Sequence, residues 1–226
     1  MREYLPILRE CALFQNIEDE NLLPMMGCLG ATVHTYKKHE HIFSEGDAAT
    51  KLGIVLSGEV QVVGNDYEGN RSLVANMQMA ELFAENFACA EVEALPVDVV
   101  ASEDSRVILM DVHRVTRSCG NACAFHSQII FNLMKIVAQK NLMYHRKIEI
   151  TSKRSTREKL MTYLSYEARK HGKASFSIPY DRQELADYLE VERSGLSAEI
   201  SKMRKEGILE ADKNRFTLKD WRGDGL

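Results

Sequence analysis

The segment from 181 to 207 constrains this chain most, because it predicts two short helices joined by a tight turn. Asp181 is a favourable N-cap, and Glu184 follows at the spacing of a capping box. An apolar stripe at helical spacing continues the first helix: Leu185, Ala186 and Leu189. The break at 190–192 is too short for two helices to run antiparallel, so the segment predicts a helix-turn-helix.

The second predicted helix has one apolar face and one polar face. The apolar positions are Leu196, Ile200 and Met203. The polar positions are Arg193, Ser194, Ser197, Lys202, Arg204 and Lys205. Gly207 is a natural C-terminal cap. Because the second helix of such a motif can lie in the major groove of DNA, these polar residues are candidate DNA contacts.

The flanking residues extend this motif into a winged helix-turn-helix. A basic segment at 151–157 predicts a hinge, and a helix is expected over about 155–170. A short strand is predicted at 176–178 before Pro179. After the motif, 208–210 and 216–218 flank a turn and predict the hairpin that forms the wing.

Residues 32–112 change to a period of two, which predicts short antiparallel strands in a sandwich or barrel. The alternating positions are Leu52, Ile54 and Leu56, then Val60 and Val62, then Val97, Val99 and Ala101, then Val107 and Leu109. Glycine- and acid-rich turns separate these runs. The segment 81–89 interrupts them and predicts a short helix.

The segment 122–149 predicts one long helix, because no glycine or proline breaks it. About 25 helical residues would extend about 37 Å. Its apolar stripe is wide, which favours a dimerisation helix over a helix buried only in its own domain. The expected dimer residues are Ile129, Ile130, Leu133, Ile136, Val137 and Tyr144. Two registers fit, one through Ile129 and Ile136 and one through Ile130 and Val137.

Charge is distributed unevenly along the 226 residues, whose formal net charge is −4. From residue 151 onward there are 16 Lys and Arg against 13 Asp and Glu, whereas the preceding part has 13 against 20. A basic C-terminal part after an acidic N-terminal part is typical of a DNA-binding module attached to a sensor. No apolar run approaches the roughly 20 residues of a membrane span. We therefore expect a cytoplasmic protein that does not interact with membranes.

The order of these elements resembles the CRP/FNR family of bacterial transcription regulators. Residues 42–63, IFSEGDAATKLGIVLSGEVQVV, resemble that family's β-roll hairpin, and 185–209, LADYLEVERSGLSAEISKMRKEGIL, resemble its DNA-reading motif. The resemblance implies an α+β fold with three parts. These are a cyclic-nucleotide-binding-like antiparallel β-roll sensor (1–118), a long dimerisation helix with hinge (119–150) and a winged helix-turn-helix (151–226).

The same resemblance implies a homodimer that binds a near-palindromic operator in double-stranded DNA under effector control, with RNA polymerase a further partner if it activates. Arg182 and Gln183 are expected to contact phosphates, and Arg193 a guanine edge or a phosphate. Lys213 and Arg215 in the wing are expected near the adjacent phosphate. Where the family often has arginine this chain has Ala198, which can only pack against a thymine methyl.

The sensor departs from the cyclic-AMP-binding members of the family. Their short helix opens on a Gly-Glu pair, and an Arg-Ser pair follows to hold the phosphate. Ala80-Glu81 and Leu95-Pro96 are expected at those places here. A phosphate needs a cation, and the nearby sequence offers mainly glutamates. Cyclic AMP is therefore not expected, and an apolar or cationic ligand, or none, remains open. The expected pocket residues are Glu81, Leu82, Phe83, Leu95 and Pro96.

Cysteines and histidines leave one alternative within the family, a redox or haem sensor. Cys11 and Cys28 are too far apart for the family's iron–sulfur cluster, so none is expected. A haem stays open, because a single ligand suffices. His39 and His41 would share a strand face, near His34, if one strand extended through both. We expect solvated histidines there rather than a metal site, and reduced thiols at the cysteines. Pairing or metal binding by Cys119 and Cys123 is the alternative.

A second alternative is a regulatory subunit that never binds DNA, although the basic hinge and wing favour DNA binding. An enzyme is not expected. The sequence has no glycine-rich phosphate loop, no HExxH and no GxSxG.

Overall fold

A computed structural model of the protein describes residues 1–65, 71–117 and 124–221. The chain divides into two compact units, an N-terminal unit Met1–Asn141 and a C-terminal unit Leu142–Leu226. Mixed helices and strands confirm the predicted α+β class. No described helix combines the length and apolar character that crossing a bilayer requires.

The N-terminal unit contains eight described strands and four short helices before the long helix α5. The helices are α1 (Leu5–Glu10), α2 (Asp19–Cys28), α3 (Glu85–Cys89) and α4 (Val112–Thr116). The strands are β1 (Thr32–Tyr36), β2 (His41–Phe43), β3 (Lys51–Ser57), β4 (Val60–Asn65), β5 (Arg71–Met77), β6 (Leu82–Phe83), β7 (Asp98–Ala101) and β8 (Ser105–Asp111). Helix α5 (Ala124–Thr151) begins in this unit and ends in the C-terminal unit.

Two antiparallel sheets form the predicted β-roll, in the orders β1-β8-β3-β6 and β2-β7-β4-β5. The period of two places alternate side chains on opposite faces. In β3, Val55 packs between the two sheets. Leu52, Ile54 and Leu56 point the other way, into a second core under the helices. Both faces of β3 are therefore buried, and the first sheet is the middle layer of the unit.

The first half of α5 belongs to that second core. Ile129, Leu133 and Ile136 are buried there with residues of α1, α2 and the first sheet. The Asn132 side-chain amide is also buried and donates to the carbonyls of Leu13 and Gln15, both at 2.9 Å. Three of the six predicted dimer residues are therefore unavailable to a partner, because packing within the unit already covers them.

The prediction of a helix over 81–89 is wrong in its first half. Leu82 and Phe83 form β6 beside β3, and α3 begins only at Glu85. The cause is a long-range contact, because the Phe83 ring lies directly on the backbone of Gly53. Ala84, in the left-handed region at φ 61°, then turns the chain into α3.

The C-terminal unit confirms the predicted winged helix-turn-helix. It contains α6 (Thr156–His171), β9 (Ser175–Ser177), α7 (Arg182–Leu189), α8 (Arg193–Lys205), β10 (Leu209–Asp212) and β11 (Arg215–Leu218). The strands form one antiparallel sheet in the order β10-β11-β9. Capping boxes begin both α6, at Ser155 and Glu158, and α7, at Asp181 and Glu184 as the sequence predicts.

We expect Gly53→Ala to lower the free energy of unfolding by about 1–3 kcal/mol, the usual cost of overpacking. A Cβ at this position would lie 2.0 Å from Cζ of Phe83, and the backbone there is not in the left-handed region. Chemical denaturation measures the loss. Adding Phe83→Leu should restore part of it.

Gly27→Ala is the matched control, because a Cβ there meets nothing within 4 Å in α2. It should be neutral or stabilise by up to about 1 kcal/mol through helix propensity. Equal losses in the two variants would contradict the role given to the Phe83 contact.

Candidate nucleic-acid interface

The turn between α7 and α8 is held by a cation that the sequence did not single out. Glu190 adopts the left-handed conformation, at φ 54°, and ends α7. Lys159 of α6 donates through Nζ to the carbonyl oxygens of Leu189 and Glu190, both at 3.1 Å. These carbonyls lie at the helix end, where intrahelical donors are lacking. Lys159 therefore stabilises the turn and fixes where α8 starts.

A second lysine reaches the same turn from the end of α5. Lys147 is buried, and its Nζ lies 3.9 Å from Glu190 Oε1 and 5.2 Å from the centre of the Tyr188 ring. Burial lowers the pKa of Lys147, and the nearby Glu190 opposes that shift. The Tyr188 ring packs against Tyr163 and stacks on Tyr180. Neither lysine lies in a recognisable motif, so only the fold reveals their role.

Helix α8 buries one face and exposes the other. Leu196, Ile200 and Met203 are buried, as predicted. The exposed residues of the other face are Arg193, Ser194, Ala198, Ser201, Lys202, Arg204 and Lys205, while Ser197 is half-buried. Within the described ranges, none of its cations forms an ion pair with a carboxylate. The N-terminal half of this face has small side chains, so a binding partner can approach its backbone closely.

Arg182 and Gln183, which the sequence predicts as phosphate contacts, both form hydrogen bonds within the protein. Arg182 donates to the carbonyl of Lys213 at 3.3 Å, and its guanidinium lies 5.7 Å from the centre of the Phe216 ring. Burial, and then the charge of nearby Arg193, lower the pKa of Arg182. The Gln183 amide donates to Asp187 at 2.7 Å. The structure thus places Arg182 near Arg193 and ties it to the wing.

The wing presents its two predicted cations at the hairpin turn. Lys213 is exposed with φ 49°, and Arg215 is exposed beside the hydroxyl of Ser175, at 3.4 Å. Asn214 holds the turn against β9 by donating to the carbonyl of Ile178 at 3.1 Å. At the far end of α8, Arg204 lies close enough to help lower the pKa of Glu210, after the larger effect of Lys219.

In the N-terminal unit, the five residues of the predicted effector pocket differ in exposure and in the core that they join. Leu82, Phe83 and Leu95 are buried, whereas Glu81 and Pro96 are exposed. Leu82 and Phe83 point into different cores, on opposite faces of the first sheet. A cleft of about 390 Å³ lies elsewhere, beside α3 and α4. Its chargeable lining residues are Glu91, Glu93, His113 and Arg117.

A buried ion pair joins α3 to α5. Glu85 is fully buried, and its carboxylate lies 2.9 Å from Nζ of Lys140. The same ammonium donates to the carbonyl of Leu82 at 2.6 Å and lies 3.7 Å from Sδ of Met77. Lys140 is 55 residues away from Glu85 in the sequence, so only folding brings this cation to the helix.

Cysteines and histidines are dispersed in the described residues. Cys11 is buried, and burial raises the pKa of its thiol to about 12, while Cys28 and Cys89 are exposed free thiols. Cys119 and Cys123 lie outside the described residues. His39 and His41 do not share a strand, because His39 lies in a turn at φ 71° and the strand begins at His41. The described ranges contain no group of three or more candidate metal ligands.

Two family models match the chain in the order that this architecture implies. The cyclic nucleotide-binding domain model matches residues 33–120, and the Crp-like helix-turn-helix domain model matches 158–223. The chain belongs to the CRP/FNR family of transcription regulators. Its helix-turn-helix is therefore a DNA-binding domain.

One curated relative and two solved structures are similar to this chain over most of its length. The transcriptional activator protein FnrA of Stutzerimonas stutzeri is 22% identical over 81% of this chain and 75% of its own. CooA from Carboxydothermus hydrogenoformans, solved as a mutant, is 18% identical with a TM-score of 0.70 over 92% of this chain and 89% of its own. FixK2 from Bradyrhizobium japonicum is 20% identical with a TM-score of 0.64, over 84% and 93%. At these identities the structures support the fold alone.

The structure corrects the residues assigned to the sensor helix of this CRP/FNR protein. The pair that opens α3 is Ala84-Glu85, and Ala80-Glu81 precedes β6 instead. The carboxylate that opens the helix is therefore already held by a cation of the same chain.

We expect Lys140→Met to lower the free energy of unfolding by about 3–5 kcal/mol, because it leaves the buried Glu85 carboxylate without a counter-charge. Urea denaturation measures the loss. Combining it with Glu85→Gln should recover much of the stability, since no buried charge then remains.

Lys135→Met is the matched control on the same helix, because Lys135 is exposed. It should change stability by no more than about 0.5 kcal/mol. A comparable loss in both variants would show that the Glu85 pair is not the cause.

Proposed function

We propose that this CRP/FNR protein acts as a homodimer that reads a near-palindromic operator with α8. The observation that carries the proposal is the exposed face of α8, whose opposite face is buried. A helix held in this way can enter the major groove of DNA. Exposed cations at both of its ends, Arg193 and Lys205, suit the phosphates on either side of the groove.

The dimer contact is proposed on a face of α5 that differs from the one the sequence predicted. Phe131 and Met134 are 58% and 60% exposed, and Ala138 is exposed one turn further on. Their spacing of three and four residues is that of a helix seam. In the part of α5 that belongs to the C-terminal unit, Leu142 and Ile148 are also exposed apolar residues. The half-buried Ile130 and Val137 are proposed at the edge of the face formed by Phe131 and Met134, and the half-buried Tyr144 belongs to the C-terminal part of α5.

We further propose that the effector is not a cyclic nucleotide. The Glu85 carboxylate, which opens α3, is paired with Lys140, so neither group is free to hold a ribose or a phosphate. At the expected place of the Arg-Ser pair, Leu95 is buried and Pro96 offers no donor. The cleft beside α3 and α4 is the proposed effector site, and its mixed charges suit a small polar ligand.

Footprinting on a sequence selected from random DNA tests the proposed function. We expect two protected half-sites about 34–36 Å apart, one helical turn of DNA. A single protected half-site would contradict the dimer, and loss of binding at modest salt on every sequence tried would favour a regulatory subunit that does not bind DNA. An absorbance spectrum of the anaerobically purified protein tests the alternative that the protein is a redox or haem sensor.

Met134→Lys should convert the dimer to monomers in sedimentation experiments, because it places like charges opposite each other in the seam. The matched control is Gln139→Lys, which adds the same charge at an exposed position beside the seam. A Met134→Lys protein that remains as dimeric as the control would rule out this face.

Arg193→Ala should weaken operator binding by about 1–3 kcal/mol if the guanidinium bonds a guanine edge. Lys173→Ala, which removes an exposed cation outside α8, is the control for net charge. Fluorescence anisotropy against the operator and a scrambled duplex measures both. An unchanged operator affinity would remove Arg193 from the interface. An equal loss on both duplexes would assign it to a phosphate.

A further inference from the structure

One arginine of α6 spans two turns of the DNA-reading helix. Arg157 Nε donates to Oε1 of Glu199 at 2.6 Å, and its NH1 lies 2.8 Å from Oε2 of Glu206. The two carboxylates are seven residues apart on α8, so they lie on the same face two turns apart. A planar guanidinium offers donors in fixed directions, so it can hold both carboxylates at once.

These ion pairs are more sheltered than ordinary surface pairs. The side chain of Arg157 is 35% exposed and that of Glu199 is 21% exposed. The third guanidinium nitrogen of Arg157, NH2, is buried without a hydrogen-bond partner in this structure. The hydrogen bonds to Glu199 and Glu206 raise the pKa of Arg157, so the group stays charged.

The buried face of α8 makes contacts of a different kind. Its buried residues Leu196, Ile200 and Met203 are apolar. Apolar burial is non-directional, so it sets which face of α8 is buried but restrains small changes in tilt and sliding less well than a hydrogen bond does. Hydrogen-bonded ion pairs are directional and restrain both. Arg157 is therefore the group best placed to set the orientation of α8.

We propose that Arg157 is a positioning residue for DNA recognition, which sets the angle at which α8 presents its exposed face to base edges. This inference rests on the proposed function. Arg157 lies in the basic segment 151–157, where its charge alone suggests a phosphate contact. The geometry instead directs that charge inward, to Glu199 and Glu206. Losing Arg157 should therefore reduce sequence discrimination and leave the number of phosphate contacts unchanged.

The test measures affinity for the selected operator and for a scrambled duplex over a range of salt concentrations. Arg157→Ala should weaken operator binding about tenfold, within the range of coupling between contacting residues. Binding to the scrambled duplex should match that of Arg154→Ala, which removes an exposed arginine from the same segment. The salt slope should equal that of the wild type, whereas a lost phosphate contact lowers it by about 0.9.

Two further variants separate positioning from charge and from stability. Arg157→Lys keeps the charge but lacks the fork that reaches both carboxylates, so it should recover only part of the discrimination. Arg157→Ala combined with Glu199→Gln should be no worse than Arg157→Ala alone, since the pair acts as a unit. Thermal unfolding of each variant identifies the temperature range in which all are folded, and the binding assays are done there.

Several outcomes would overturn the inference. These are full discrimination in Arg157→Ala, full rescue by Arg157→Lys, additive losses in the double variant, or a reduced salt slope. If the wild-type protein prefers no DNA sequence, the proposed function fails together with this inference. If the wild type is specific and Arg157→Ala keeps the same specificity, only the inference fails.

Discussion

The close contact between the Phe83 ring and the backbone of Gly53 organises the N-terminal unit. Because residue 53 has no Cβ, β6 can lie against β3 and its aromatic ring can fill the space between the sheets. The chain then turns at Ala84, and α3 starts with its first carboxylate fully buried. A buried carboxylate needs a counter-charge, and Lys140 of α5 supplies it. The absence of a side chain at Gly53 thus allows the arrangement in which the Glu85–Lys140 ion pair joins the β-roll to the long helix.

The two units use ion pairs in different ways. The Glu85–Lys140 pair is almost completely removed from water, so breaking it is costly but forming it contributes little net stability. The ion pairs of Arg157 are half-buried and lie on the surface of α8. Their hydrogen-bond geometry matters more there than their contribution to stability. The Glu85–Lys140 pair joins α3 to α5 in the N-terminal unit, and the pairs of Arg157 restrain the helix that carries the exposed polar face.

The helix-turn-helix was predictable because its determinants are local. The capping box at Asp181 and Glu184 and the apolar spacing of α8 both act within a few residues of sequence. Other predictions failed where distant residues decide. Leu82 was expected in a helix but pairs with β3, and Ala80-Glu81 were expected to open the helix that Ala84-Glu85 open. The wide apolar stripe of α5 could not reveal which of its sides the N-terminal unit covers.

The sequence by itself determined the elements of the winged helix-turn-helix, the resemblance to the family and the identity of the residues on α8, because periodicity and capping are short-range properties. Tertiary structure alone decided which residues are free to act. It buries Ile129 and exposes Phe131, ties Arg182 to the wing, and brings Lys140 to Glu85 across 55 residues. The physical reason is that burial and charge pairing depend on contacts between distant segments. Such contacts leave no periodic trace in the sequence.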